Sequence, residues 1–293
     1  MTGRFAQFLA IDWSGAKGAR QKGIALAVAD AEGGPPVLVE RGRGWSREDV
    51  LAVLRDLPGD MLVGMDLGIG LPFVDCGAYF PGVADTPRDA VELWATIDAL
   101  CKDDPNLEAG GFCDHPDFAP FFRRDGGREG AQFRCNGAAH GRGRFRVTEH
   151  AQAAMGLKPY SNFNLVGAAQ VGKSSLTGMR VLHRLHGAVP VWPVDPLPES
   201  GSVIVEIYTG LAAIEAGRTA SRSKIRTVDE LNTALAALDS PPVDGAGAID
   251  DHSSDALLTA AWLRKTGSEP KRWSPAGLTP SIARTEGWTF GAV

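Results

Sequence analysis

Two apolar segments of this chain each finish on an aspartate: Phe-Leu-Ala-Ile-Asp12 and Leu-Val-Gly-Met-Asp66. Burying a strand that ends on a carboxylate is costly unless the charge is paired or bound to a cation. Open α/β sheets bind ligands at the carboxyl ends of their strands, so two such strands would bring both acids to one rim. A helix expected over 251–265 adds Asp251 and Asp255, four residues apart and therefore on one face. Leu258 and Trp262 continue that stripe, which turns it toward the sheet. Taken singly, each acid has a plainer role as a turn cap, a loop closure or a helix start. The set, in this order, points to chemistry. Carboxylates gathered in this way repel one another, and Mg²⁺ or Mn²⁺ relieves the repulsion. Two such ions about 3.5–4 Å apart stabilise both the attacking and the leaving oxygen of a phosphodiester displacement. Asp12, Asp66 and Asp255 are the expected metal ligands, with Asp251 as the alternative on the same helix face.

Around these acids the chain reads as one α/β sheet. Phe5–Ile11, Gly23–Ala29 and Pro36–Glu40 are expected strands, with Gly33-Gly34 as the turn before the third. Ser46 caps a helix with Asp49 as its N3 acid, and Met61–Met65 is the fourth strand. Residues 73–165 lose the rhythm and read as an insertion within a single domain spanning 1–293, with one helix at 87–101. The rhythm returns with a helix at 174–186, an apolar stretch at 188–194 and a strand at 202–208 carrying Glu206. Helices at 209–216, 228–238 and 251–265 follow.

These segments resemble the RNase-H-like superfamily. The matching motifs are Ala-Ile-Asp12-Trp-Ser-Gly-Ala, Gly-Met-Asp66-Leu-Gly-Ile-Gly-Leu-Pro, Val-Glu206-Ile-Tyr and Asp251-His-Ser-Ser-Asp255-Ala-Leu. Within it the chain is similar to the predicted nucleases called domain of unknown function 429, over most of its length outside the insertion. The resemblance implies a five-stranded mixed sheet flanked by helices, with an antiparallel hairpin at its edge. It also implies a metal-dependent acid cluster with Asp12 and Asp66 on adjacent strands and Asp251 or Asp255 on the last helix. Glu206 resembles the family's strand-borne Glu, and Arg146-Val-Thr-Glu149 its Arg-x-x-acid segment, so both carboxylates are further candidate ligands or water-positioning groups. The implied activity is that of a metal-dependent phosphodiesterase acting on nucleic acid. Two other classes share these features. One is an ATP-using phosphotransferase of the actin and sugar-kinase type, and the other a binding module that kept the fold without the chemistry.

Three further motifs compete for attention. Gly167-Ala-Ala-Gln-Val-Gly172-Lys173-Ser174 fits the P-loop pattern after a short strand expected at 162–166. It reads as a nucleotide cradle, as a helix start holding a substrate phosphate, or as a tight structural turn. Cys113, His115, Cys135 and His140 are possible zinc ligands at a spacing unlike standard fingers. Residues 121–146 hold seven Arg against Asp125 and Glu129, a local balance of +5 in a chain of net charge −5. Such a loop suits a phosphate backbone or is simply solvated. Trp13, next to Asp12, either stacks on a base or covers the sheet edge. No apolar run reaches the length of a bilayer span, and Asp12 interrupts the one stretch that could start a signal peptide. With four Cys and no disulfide pattern, the expected setting is reduced cytoplasm.

Overall fold

The computed structural model describes residues 3–135, 138, 142–167, 170–219 and 224–293. The chain opens with β1 (Gln7–Asp12), β2 (Ala25–Asp30) and β3 (Gly33–Leu38), then α1 (Arg47–Arg55) and β4 (Met61–Met65). The insertion carries α2 (Ala90–Leu100), α3 (Gly110–Asp114), a small hairpin of β5 (Arg123–Arg124) and β6 (Arg128–Glu129), and α4 (Val147–Ala154). There follow α5 (Val171–Leu185), β7 (Val191–Trp192), β8 (Val203–Glu206), α6 (Thr209–Glu215), α7 (Val228–Ala237), α8 (Asp251–Thr266), α9 (Pro270–Trp273) and α10 (Pro280–Thr285).

The main sheet is mixed and runs β3-β2-β1-β4-β8-β7. β1, β2 and β3 pair antiparallel, whereas β1, β4, β8 and β7 are parallel neighbours. It has six strands, one more than the sequence suggests, because Val191 and Trp192 of the apolar stretch 188–194 pair along β8. Gly33 and Gly34 open β3 instead of turning before it, both with positive φ. The short strand expected at 162–166 is not formed; Asn164 makes one bridge to Arg123 outside the main sheet.

Strand alternation divides the core. Leu9, Ile11, Val63 and Met65 pack toward α1, α2 and α5 through Leu51, Trp94 and Leu176. Phe8, Ala10, Leu62 and Val203 pack toward α6, α7 and α8 through Leu211, Leu235 and Trp262. Helices therefore cover both faces. Phe80, Phe112, Phe121, Phe122 and Phe163 of the insertion join the first of these clusters, so the insertion shares the sheet's core. Ser46 and Asp49 form the expected reciprocal cap of α1, and Asp89 caps α2, leaving Pro87 just outside it.

Candidate active site at the strand ends

The parallel register aligns Ile11 with Met65, so Asp12 and Asp66 leave neighbouring strands at the same level. The Asp66 amide donates to the Ile11 carbonyl at 2.9 Å, which locks this level. By the alternation of β1 and β4, positions 12 and 66 continue the rows that face α8. Their carboxyls are hydrogen-bonded to one another. Burial, and then the charges of Asp12, Asp255 and Glu206, raises the Asp66 pKa well above the ordinary range. Burial also raises Asp12, against the pull of His252, whose Nδ1 lies 2.6 Å from Asp12 Oδ2. Two carboxyls in contact cannot both hold charge cheaply, so they share a proton.

Asp255 enters from the second turn of α8, and burial followed by repulsion from Asp12 and Asp251 lifts it to about 7. Asp251 departs from the expected inward pointing. Its side chain is 31% exposed and is held by Lys224. His252 takes the place beside Asp12 that the i, i+4 stripe assigned to Asp251. The Asp12 hydrogen bond is the main cause of a raised His252 pKa.

Glu206 and Glu149 form a different structure. Arg146 lies between them, donating to Glu206 at 2.6 and 2.7 Å and to Glu149 at 2.6 and 2.9 Å. Glu206 also accepts from the Ile69 amide at 2.9 Å and from the Thr289 hydroxyl at 2.5 Å. Both of its oxygens are thus occupied by donors. Burial opposes the Arg146 charge, but the two carboxylates more than offset it and hold its pKa up. Glu149 is raised by burial despite Arg146. This buried triad orders the floor beneath the acid pair and offers no free lone pair for a cation.

The P-loop-like segment acts as a clamp. The Gly172 amide donates to the Asn164 carbonyl, and the Lys173 and Ser174 amides donate to the Gln170 carbonyl, so none is left to cradle phosphate. Ser174 Oγ accepts from the Gly15 amide at 3.2 Å, and Ser175 Oγ accepts from the Gly68 amide at 3.0 Å. One helical turn therefore fastens both loops that follow β1 and β4. A Cβ at Gly15 would lie 2.4 Å from the Lys173 backbone, which explains glycine there. Ala168 and Ala169 of the motif lie outside the described residues.

The basic loop is largely consumed by structure. Arg144 is 1% exposed and binds Asp75 and the carbonyls of Pro72, Ala78 and Tyr79. Arg146 is the centre of the triad, Arg134 pairs with Glu129, and Arg124 with Asp114. Arg142 donates to the Lys158 and Pro159 carbonyls and lies over the Tyr160 ring. The four zinc candidates do not assemble among the described residues. Cys135 Sγ lies 3.8 Å from Cys76 Sγ, Cys113 is buried in the aromatic core, and His140 falls outside the described residues.

Beside the acid pair opens a pocket of about 270 Å³, lined by Asp66, Trp13, Asn162, Tyr160 and Tyr208 among others. Trp13 is buried, its indole N–H on Thr177 Oγ1 at 3.1 Å, and lines the pocket. Tyr208 follows Glu206 by two residues; burial, then Asp66 and Tyr160, pushes its phenol to about 12. Sequence reasoning passed over His252, Asn162 and Tyr208. His252 and Tyr208 lie inside quoted motifs, and the i, i+3 spacing of His252 to Asp255 was the available signal.

No group of three or more His, Cys, Asp or Glu among the described residues stands ready-made for a metal ion. No protein-family model matches the chain, and neither a curated protein nor a solved structure matches it. No helix among the described residues is long and apolar enough to cross a membrane.

Proposed function

We propose that the chain is an RNase-H-like, divalent-cation-dependent phosphodiesterase, with nucleic acid as its substrate and Asp12, Asp66 and Asp255 as the groups that hold Mg²⁺ or Mn²⁺. The carrying observation is the contact between the Asp12 and Asp66 carboxyls at the ends of adjacent parallel strands, with Asp255 raised to about 7 beside them. Three acids held at such a cost are a feature of functional sites. Their chemistry, hard oxygen donors with raised proton affinity, suits a hard divalent cation. The order β3-β2-β1-β4-β8 with its antiparallel edge supports the RNase-H-like reading.

In holding a cation, Asp12 and Asp66 would give up the proton they share. His252, hydrogen-bonded to Asp12 through Nδ1 and with its side chain 47% exposed, links the pair to solvent, where that proton would go. Glu206 and Glu149 position the site through Arg146 and are not ligands. A bound divalent cation supplies charge neutralisation for the attacking and leaving oxygens. Hydrolysis places the hydroxyl of water on phosphorus, breaks one P–O bond and protonates the leaving alcohol. Cleavage of bis(p-nitrophenyl) phosphate or a labelled oligonucleotide with Mn²⁺ tests the reading. Asp66→Asn should lose at least a hundredfold in rate. Wild-type protein that binds Mn²⁺ yet cleaves no phosphodiester would refute it.

The phosphotransferase alternative is less well supported, because the Gly172, Lys173 and Ser174 amides that would meet nucleotide phosphates are already bonded within the chain.

A further inference from the structure

We infer that the pocket beside Asp66 receives a single unpaired nucleobase, so that the substrate is single-stranded or opened at the scissile position. The inference rests on the phosphodiesterase reading for its substrate class, and on four features of the pocket itself.

The walls are aromatic. Trp13, tied to α5 by its indole N–H, lines the pocket together with Tyr160 and Tyr208. Every base has a π-face to offer such walls, and stacking is the sequence-tolerant way to hold one.

The pocket also carries an unmet hydrogen-bond acceptor. Asn162 is 1% exposed and lines the pocket; its Nδ2 donates to the Gly70 carbonyl at 2.9 Å, which fixes the amide orientation. Its Oδ1 is buried and has no partner. A buried acceptor left unpaired is costly, and an N–H donor from a ligand that moved aside the atoms covering it would satisfy it. Nucleobases bring such donors on exocyclic amines or ring nitrogens.

The lining excludes a phosphate. Its one cation is Arg146, which is spent on Glu149, Glu206 and the Glu286 carbonyl. An anion entering there would meet Asp66 and no compensating charge. The phosphodiester therefore belongs at the acid pair and the base in the pocket, which share Asp66 as their common wall.

The size is that of one base. About 270 Å³ beside Asp66 admits a base among the aromatic side chains. A base seated between these walls has left the helical stack.

The test is binding of the four nucleoside 5′-monophosphates in EDTA, against ribose 5-phosphate, by calorimetry and Trp fluorescence. At least one nucleotide should bind tenfold or more tightly than ribose 5-phosphate. Tyr160→Ala should weaken that nucleotide about tenfold, whereas Tyr160→Phe, which keeps the stacking face, should restore it. Tyr160 is partly exposed, so circular dichroism can verify the fold of both variants. Asn162→Ser gives a second probe and should weaken binding while narrowing differences among bases. Equal affinity for ribose 5-phosphate, or no effect of Tyr160→Ala, would overturn the inference. Because EDTA removes cations, the outcomes separate. Nucleotide binding without Mn²⁺-dependent cleavage would sink the catalytic reading alone, and cleavage of bis(p-nitrophenyl) phosphate without base preference would sink the pocket alone.

Discussion

Asp255 shows what the site costs the fold. An acid whose folded pKa is raised contributes stability while protonated and loses it as pH rises from the ordinary carboxyl range toward the folded value, here about 7. Without cations, wild-type stability should therefore fall between about pH 4 and pH 7. Asp255→Asn should make that fall shallower, Asp12, Asp66 and Glu149 supplying the rest, and stabilise the protein at pH 8 by about 1–3 kcal/mol, with little difference near pH 4. Urea melts of both proteins in EDTA across that range are the check, and parallel pH curves would contradict the assignment. Arg146 is the opposite case, because it answers two buried carboxylates at once. Arg146→Ala leaves both unpaired and should cost about 3–5 kcal/mol at pH 7. An equally stable variant would mean that the triad is not formed.

At the scale of the element, α5 ties together what β1 and β4 deliver. Ser174 and Ser175 hold the Gly15 and Gly68 amides, so disturbing the helix start should reach both aspartates. Gly15→Ala pushes a methyl into the Lys173 backbone and should destabilise by about 1–3 kcal/mol while reducing cleavage. Lys173→Ala should change neither, and neither protein should bind ATP at micromolar concentration. ATP binding abolished by Lys173→Ala would reinstate the nucleotide cradle. This segment also marks where sequence reading stops. Strands ending on Asp12 and Asp66, and a helix bringing Asp255 beside them, are legible because strand and helix periods are local properties. The spacing G-x-x-x-x-G-K-S is legible too, but which donor meets which carbonyl depends on Asn164 and Gln170 in three dimensions. The same limit hid the Arg146 bridge, which joins residues 60 positions apart. It hid the shift by one residue that put His252, rather than Asp251, beside Asp12.

Across the whole molecule, the insertion completes the core and supplies six of the sixteen residues that line the pocket. Tyr160, Asn162, Arg146 and Glu149 all come from it, and its phenylalanines pack beneath the sheet. A chain lacking residues 73–165 should accordingly fail to unfold cooperatively, rather than persist as a smaller stable domain. The charge distribution bears on nucleic acid. The sequence suggests seven arginines gripping phosphates, but among the described residues only Arg123, Arg128 and Arg142 of that loop lack a carboxylate partner. With about 0.7 log units per neutralised phosphate on single strands, three contacts give a salt slope near −2. A slope of −5 would show that the paired arginines release their carboxylates on binding.

The central claim is that Asp12 and Asp66 are a cation site whose shared proton keeps its place until a cation arrives. Titrating Mn²⁺ into the protein at pH 7 by calorimetry, in two buffers of different ionisation enthalpy, measures affinity and protons released together. Binding should occur with release of a proton, and Asp66→Asn should abolish it, whereas Asp251→Asn, whose carboxylate sits with Lys224, should leave it intact. Absence of Mn²⁺ binding to the wild-type protein, or binding that survives Asp66→Asn, would contradict the account.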